Sequence, residues 1–384
     1  MLPLFVLAHL SHHLVTALPV PLLPYIRDEF ALDYTRAGLI ISAFGVIYGI
    51  CQLPAGWLAD RFGPRILLTV GIIGVGAAGL LAGMSPNYIV LLVSLALMGI
   101  LGGGYHPAST TMISAAVAPR TRGQALGFHM VGGSVSYFLA PLIAAGIAAA
   151  WGWRGPFLAL AILAIGIGIM LHFMLRKRVP YQKTAARDTS LSAEAAPAPG
   201  HRRRLITVIT LSSFTQALVS SIVSFIPLFL VDTYGAGKEV AAASISLVYF
   251  MGLWAGPFGG YLSDRFGRVA IIIAMCVMAS IVIYLLNLAP YGFGTGAILA
   301  TIGIAMYINT TGAQAFIVDQ TSARNRSTVL GIYFFGNMEG TGLLTPALGY
   351  LIDHLGFHTS FTLASAAILT TFVVCSLILR LSRR

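Results

Sequence analysis

The chain is 384 residues long, 57% hydrophobic and 9% charged, with a formal net charge of +11 and a mean hydropathy of +0.87. Soluble domains carry about 25% charged residues, so a surface this poor in charge excludes a chain wetted on all sides. A nucleic-acid-binding domain is excluded too, because the basic residues sit at the ends of apolar runs and form no face of their own.

Backbone in lipid must satisfy its own hydrogen bonds, which leaves helices or closed barrels. The apolar runs are long and continuous rather than alternating, which selects helices. They predict an all-α membrane protein with spans at 3–26, 36–58, 66–85, 88–117, 124–149, 155–175, 205–231, 241–262, 269–289, 293–318, 328–351 and 359–380. Residues 1–175 then form one six-helix bundle and 205–384 a second. Between them, 176–204 is basic at both ends and rich in Ala, Pro and Ser, a composition that buries no core and reads as a linker. The N-terminus has no basic n-region and no small-residue cleavage site, so it reads as the first span. Cys51, Cys276 and Cys375 lie in apolar runs without disulfide or metal spacing. No cofactor and no resident metal are expected.

Span 1 carries His9, His12 and His13; His9 and His13 are four apart and share a helix face, which His12 borders. Span 2 holds Tyr48 and Gln52, then runs into GWLADRFGPR, with Gly56, Asp60, Arg61, Gly63 and Arg65. Span 4 contains GGGYHPAST, which sets Tyr105 and His106 before Pro107. Arg122 follows it, and span 5 brings His129 within GFHMVGGSVSYFLAPLI. In span 7, Gln216, Ser220 and Ser224 repeat every four residues as one polar stripe. Span 8 holds Tyr249 and ends in GGYLSDRFGR, with Asp264, Arg265 and Arg268. Span 10 places Tyr307, Thr310 and Gln314 on one face, and span 11 carries Asn337 and Glu339 in YFFGNMEGTGLLTP.

Ionisable residues within spans are expensive, and by default they mark function. A carboxyl at Glu339 suits loading and releasing a proton. The histidines suit proton coupling or recognition of an anion, and the neutral stripes suit cavity lining. Each also has a structural alternative as a hydrogen bond between helices. Histidines facing a glutamate leave open a carrier of divalent transition metals, and a non-transporting receptor is a further alternative. The chain has no G-x-S-x-G, no H-E-x-x-H and no P-loop, which argues against an enzyme or an ATP-driven pump.

Nineteen of the 23 Lys and Arg fall in the loops after spans 2, 4, 6, 8 and 10 and at the C-terminus. The positive-inside rule therefore predicts cytoplasmic termini in a bacterial inner membrane. The sequence also repeats. GWLADRFGPR matches GGYLSDRFGR with Asp60 and Asp264 204 residues apart, RGQALGF matches RSTVLGI at the same offset, and Gly152 and Phe157 likewise match Gly356 and Phe361. Three blocks on one offset predict two homologous halves with a site between them near the midplane.

The paired decapeptides resemble the signature of the major facilitator superfamily, G-x-L-a-D-r-x-G-r-k. One copy uses Gly56, Leu58, Ala59, Asp60, Arg61, Gly63 and Arg65; the other uses Gly260, Leu262, Asp264, Arg265, Gly267 and Arg268. Pro64 departs from it where a basic residue is usual. The resemblance covers nearly the whole chain and implies a monomeric secondary transporter working by alternating access, with spans 1, 4, 7 and 10 around the cavity. The aspartates and arginines, with Arg122, are expected to act as a conformational latch through charge-assisted and helix-end contacts. Spans 4 and 5 look similar to the fosmidomycin-resistance branch and related drug or organic-anion carriers. That implies a proton-coupled efflux antiporter for a small anionic or amphiphilic solute, although Ala140 stands where such antiporters often have glycine before Pro141.

Overall fold

The computed structural model describes residues 2–118, 121–178, 201–322 and 325–381; the side chains of Asp60, Arg122, Lys177, Arg178, Arg326, Ser327 and Leu381 lie outside the described residues. Residues 179–200, most of the stretch read as a linker, also lie outside them.

Span 1 is two helices, α1 (Leu2–Thr16) and α2 (Pro19–Phe30). Pro19, in the first turn of α2, has no N–H to offer the preceding turn, so a new helix starts there. Span 2 is α3 (Tyr34–Gln52), followed after Pro54 by the short α4 (Ala55–Phe62). Span 3 is α5 (Pro64–Gly83). Span 4 is split into α6 (Tyr88–Gly102) and α7 (Tyr105–Ala116), and the break falls within the glycine triplet before Tyr105. Spans 5 and 6 are α8 (Arg122–Trp151) and α9 (Arg154–Arg178). The second half continues with α10 (His201–Tyr234), α11 (Lys238–Phe266), α12 (Arg268–Leu286) and α13 (Phe293–Gln320).

The last helix, α14 (Arg326–Leu381), contains spans 11 and 12 divided at Gly356. Its 56 residues would run about 84 Å if straight, against about 30 Å of hydrocarbon, so the chain must reverse within it. Gly356 does so at φ 73°, ψ 169°. Gly152, its match in the first half, has φ 66°, ψ 177°. The signature turns agree as closely, with Gly63 at φ 89°, ψ 137° and Gly267 at φ 93°, ψ 135°. These values are open to glycine and costly for other residues. The repeat is therefore conformational as well as sequential.

The start of α1, the end of α9, the start of α10 and the end of α14 lie on one face of the bundle, here the terminal face; the turns at 31–33, 84–87, 235–237 and 356 lie on the distal face. One apolar core joins the halves toward the distal face, running from Leu14–Leu32 of span 1 to Ile222–Leu230 of span 7. Toward the terminal face it divides. Phe5, Leu68, Tyr105 and Met112 form a core of the first half alone, and Val208, Ile272, Phe316 and Tyr333 one of the second. The burial pattern of the two central spans agrees. Span 1 has partly open positions as far as Leu10, then is buried from Ser11 to Pro19. Span 7 is open at Thr210, Ser213, Gln216 and Ser220, then buried from Ser221 to Leu230. A cleft thus enters from the terminal face and closes near the middle of the bundle.

Polar contacts close the distal face. Arg27 pairs with Asp232 through two nitrogens, at 2.5 and 2.9 Å, and Lys238 with Asp28 at 2.5 Å. Tyr25 donates to Glu239 at 2.8 Å and Tyr34 to Asp232 at 2.7 Å. Asp353 accepts from the backbone N–H groups of Tyr34 and Thr35 at 2.8 and 2.9 Å, so a carboxylate from the second half caps the start of α3 in the first. Among the described residues, the ion pairs that join the halves, Arg27–Asp232 and Lys238–Asp28, are both at this face.

Candidate transport site

At the inner end of the cleft, the first half gathers five histidines from three spans. His9 Nδ1 is 2.8 Å from the His129 carbonyl, His129 Nδ1 2.9 Å from the Phe5 carbonyl and His12 Nδ1 3.0 Å from the Gly71 carbonyl. A carbonyl only accepts, so Nδ1 carries the proton in all three rings. His12 Nε2 then accepts from the Tyr48 hydroxyl at 3.2 Å, and His13 Nδ1 lies 3.0 Å from Thr16 Oγ1. The rings pack on one another: His9 on His129 at 4.2 Å, His12 on Tyr105 at 4.3 Å, and His106 edge-on to His9 at 5.2 Å. His9, His12 and His129 are buried, whereas His106 is half-buried.

Glycine makes this packing possible at two places. A Cβ on Gly102 would stand 3.1 Å from the Tyr48 ring and 3.3 Å from His12, and one on Gly133 would stand 2.7 Å from Cε1 of His9. The glycines therefore admit the aromatic array at close helix separation.

The second half offers neutral groups. Ser213, Gln216 and Ser220 form the open face of α10, with Gln216 Oε1 buried and without a partner. Ser224, the next step of the predicted stripe, is buried and bonds back to Ser220 at 2.9 Å. On α13, Tyr307, Thr310, Thr311 and Gln314 are the partly open positions between Ala305 and Gln314, and the Tyr307 ring packs closely against Gly252 of α11. Asn337 Oδ1 and Glu339 Oε1 are buried without partners. Glu339 reaches across the seam between the halves to Gly49 of α3, one turn from Gln52, which contacts Met338 at 3.7 Å.

Tyr137 of α8, absent from the expected set, links the two walls. Its ring is 4.9 Å from His13 and 5.1 Å from Tyr249 of the other half. Its sequence signal is its place two helical turns beyond His129 on the same span.

The signature turns differ between halves. Arg268 pairs with Asp264, bonds Asp319 at 2.9 Å and reaches Ser263 at 2.7 Å. The matched first-half positions are Pro64 for Arg268 and Ala115 for Asp319, so both members of the pair are replaced together. There Arg61 lies over Trp57 at 5.5 Å, and Arg65 Nε is buried without a partner. Arg265 bonds Tyr261 at 3.0 Å. The side chains of Asp60 and Arg122, two of the expected latch residues, lie outside the described residues.

The sequence profile of the Major Facilitator Superfamily matches residues 5–338 and, separately, 209–384. The chain belongs to the major facilitator superfamily. The second, overlapping match falls on the second half, in keeping with an internally repeated transporter. This facilitator is 26% identical over 378 residues to the probable sulfoacetate transporter SauU of Cupriavidus necator, covering 92% of this chain and 87% of that protein. It is 24% identical over 377 residues to the multidrug resistance protein MdtG of Klebsiella pneumoniae, covering 95% and 90%. Its fold resembles the crystal structure of a bacterial homolog of the human lysosomal transporter Spinster, in an inward-facing and unoccupied conformation. The TM-score is 0.81 at 15% identity, over 99% of this chain and 96% of that one. The facilitator is a multi-pass membrane transporter and not an enzyme.

Proposed function

We propose that this facilitator is a proton-coupled carrier of a small organic anion or amphiphilic acid, working as a monomer in the inner membrane with its terminal face in the cytoplasm. The observation that carries the reading is the pairing of unlike walls at the closed end of the cleft. One wall is a hydrogen-bonded histidine array; the other is a set of hydroxyls and carboxamides. Among the described residues, Lys and Arg are confined to the neighbourhood of the two faces. A solute anion is therefore met by imidazole and tyrosine rather than by a fixed cation, which favours a partly apolar, singly charged acid over a tightly held dianion. Of the relatives, SauU is named for sulfoacetate, a small organic dianion, and MdtG for multiple drugs; these support the organic-anion and amphiphile classes, while the preference for a single charge rests on the lining alone.

Glu339 is the proposed proton carrier. It stands on the seam that must slide when the halves rock, and its carboxyl has an unpartnered oxygen. The two halves then alternate about the midplane, and Asp353, Asp232 and Arg27 hold the distal side shut in the conformation described. Reconstitution into proteoliposomes with an imposed pH gradient tests the reading against a panel of organic acids and lipophilic drugs. Gradient-driven accumulation of an acid is expected, and the sign of the gradient that drives it gives the direction of transport. Accumulation unchanged when the gradient is removed would contradict proton coupling.

A further inference from the structure

The helix packing brings three histidines together that no sequence spacing connects. Side-chain nitrogens of His9 on α1, His106 on α7 and His129 on α8 all lie within 4.8 Å of one another. Two of the three rings are already held as metal ligands usually are, with the far ring nitrogen donating to a backbone carbonyl. His9 donates from Nδ1 to the His129 carbonyl and His129 from Nδ1 to the Phe5 carbonyl. This fixes the tautomer and leaves Nε2 of both rings as the lone-pair nitrogen. The Nε2 of His129 is buried with no hydrogen-bond partner, in a side chain only 2% exposed. A buried acceptor left open costs about 1–3 kcal/mol, so its retention here calls for a ligand. His106, the third member, is the half-buried one, so the trio has an open side.

We propose that His9, His106 and His129 form a binding site for one divalent transition-metal ion of the Zn2+, Co2+ or Ni2+ class. Three neutral imidazoles without a thiolate or carboxylate suit that class and disfavour Mg2+ and Ca2+. A tetrahedral ion at about 2.0–2.1 Å from each nitrogen brings those nitrogens to about 3.4 Å apart, so on binding the rings close inward by an ångström or more and the stacked His9 and His129 rings tilt to aim their lone pairs at the ion. The fourth position stays open on the His106 side, as in three-histidine zinc centres. Bound there, the ion ties span 1 to spans 4 and 5 and adds positive charge to a wall without Lys or Arg. The site does not depend on which solute is carried, because occupancy is read directly.

The test is equilibrium dialysis and visible absorption with Co2+ on the purified full chain, prepared without a polyhistidine tag. One Co2+ per chain is expected, with ligand-field bands that Zn2+ abolishes. His106→Ala should weaken binding at least tenfold, and the variant is expected to fold because this ring is half-buried and, unlike His9 and His129, is not tied to a backbone carbonyl among the described residues. Gly133→Ala, which pushes the His9 ring aside without removing a ligand, should weaken it as well. His354→Gln, at an exposed histidine near the distal turn and outside the cleft, should bind as the parent does. Failure of the parent chain to bind Co2+ stoichiometrically, or undiminished binding by a folded His106→Ala variant, would overturn the proposal.

Discussion

At the level of single residues, the site rests on a few buried polar groups whose partners can be named. Tyr48 and His12 form one such pair, both buried. Tyr48→Phe removes the donor and strands the Nε2 lone pair of His12, at about 1–3 kcal/mol. A lower thermal unfolding midpoint, followed by the reactivity of the buried Cys276 thiol, is expected; an unchanged midpoint would show that the bond contributes nothing. Glu339→Gln keeps the shape of the side chain and removes its titration. It should abolish pH-driven accumulation while leaving unfolding and solute binding close to the parent's, as measured by thermal shift and by equilibrium binding of the transported acid. Accumulation equal to the parent's would remove Glu339 from the coupling step.

Histidine content, the span 7 stripe and Glu339 were legible in the sequence because periodicity assigns side chains to one face of a helix. The partners across that face were not legible. Which glycine lies under His9, or that Glu339 stands against Gly49, depends on how distant helices are rotated against each other, and no local pattern encodes that. His9 and His129 also came together without any spacing signal, 120 residues apart.

Among the elements, α3 and α14 form a close seam between the halves. Gly349 abuts the Tyr34 carbonyl, and a Cβ on Gly38 would stand 2.8 Å from Cα of Pro346. Small residues on both helices thus let the backbones meet at the distal end, where Asp353 caps α3. Asp353→Asn should weaken that cap by about 1.5–3 kcal/mol, which is roughly a tenfold or greater shift toward the conformation open at the distal face. A cysteine at Ser224, buried here, should then label faster from the distal side in a background without the native cysteines. Equal labelling would mean that Asp353 does not hold the closed face. The outer acids were visible in the sequence as loop charges, but their pairing with the opposite half was not, since loop charge alone carries no register. The breaks in spans 1 and 4 have no decisive signal in the sequence either, because a proline or glycine run within a long apolar segment is compatible with a continuous helix.

For the whole molecule, the duplicated architecture was legible because the two signature turns and the Gly152–Gly356 pair impose the same backbone in both halves. The conformation was not, since alternating access requires one sequence to support two arrangements of similar free energy. The central claim is that the halves rock about the closed end of the cleft, and α8 and α11 give the cleanest line across it. They touch where Tyr137 meets Tyr249 and Ser246 bonds the Phe138 carbonyl at 2.8 Å. Spin labels at the exposed Phe128 and Phe258 report on the terminal side, and labels at the exposed Trp151 and Val240 report on the distal side. Double electron–electron resonance on both pairs, in nanodiscs with and without a transported acid and across pH, is the most direct measurement. The account predicts that the 128–258 distance shortens as the 151–240 distance lengthens, with the populations moved by acid and by pH. Distances that stay fixed in every condition, or that lengthen and shorten together, would contradict it.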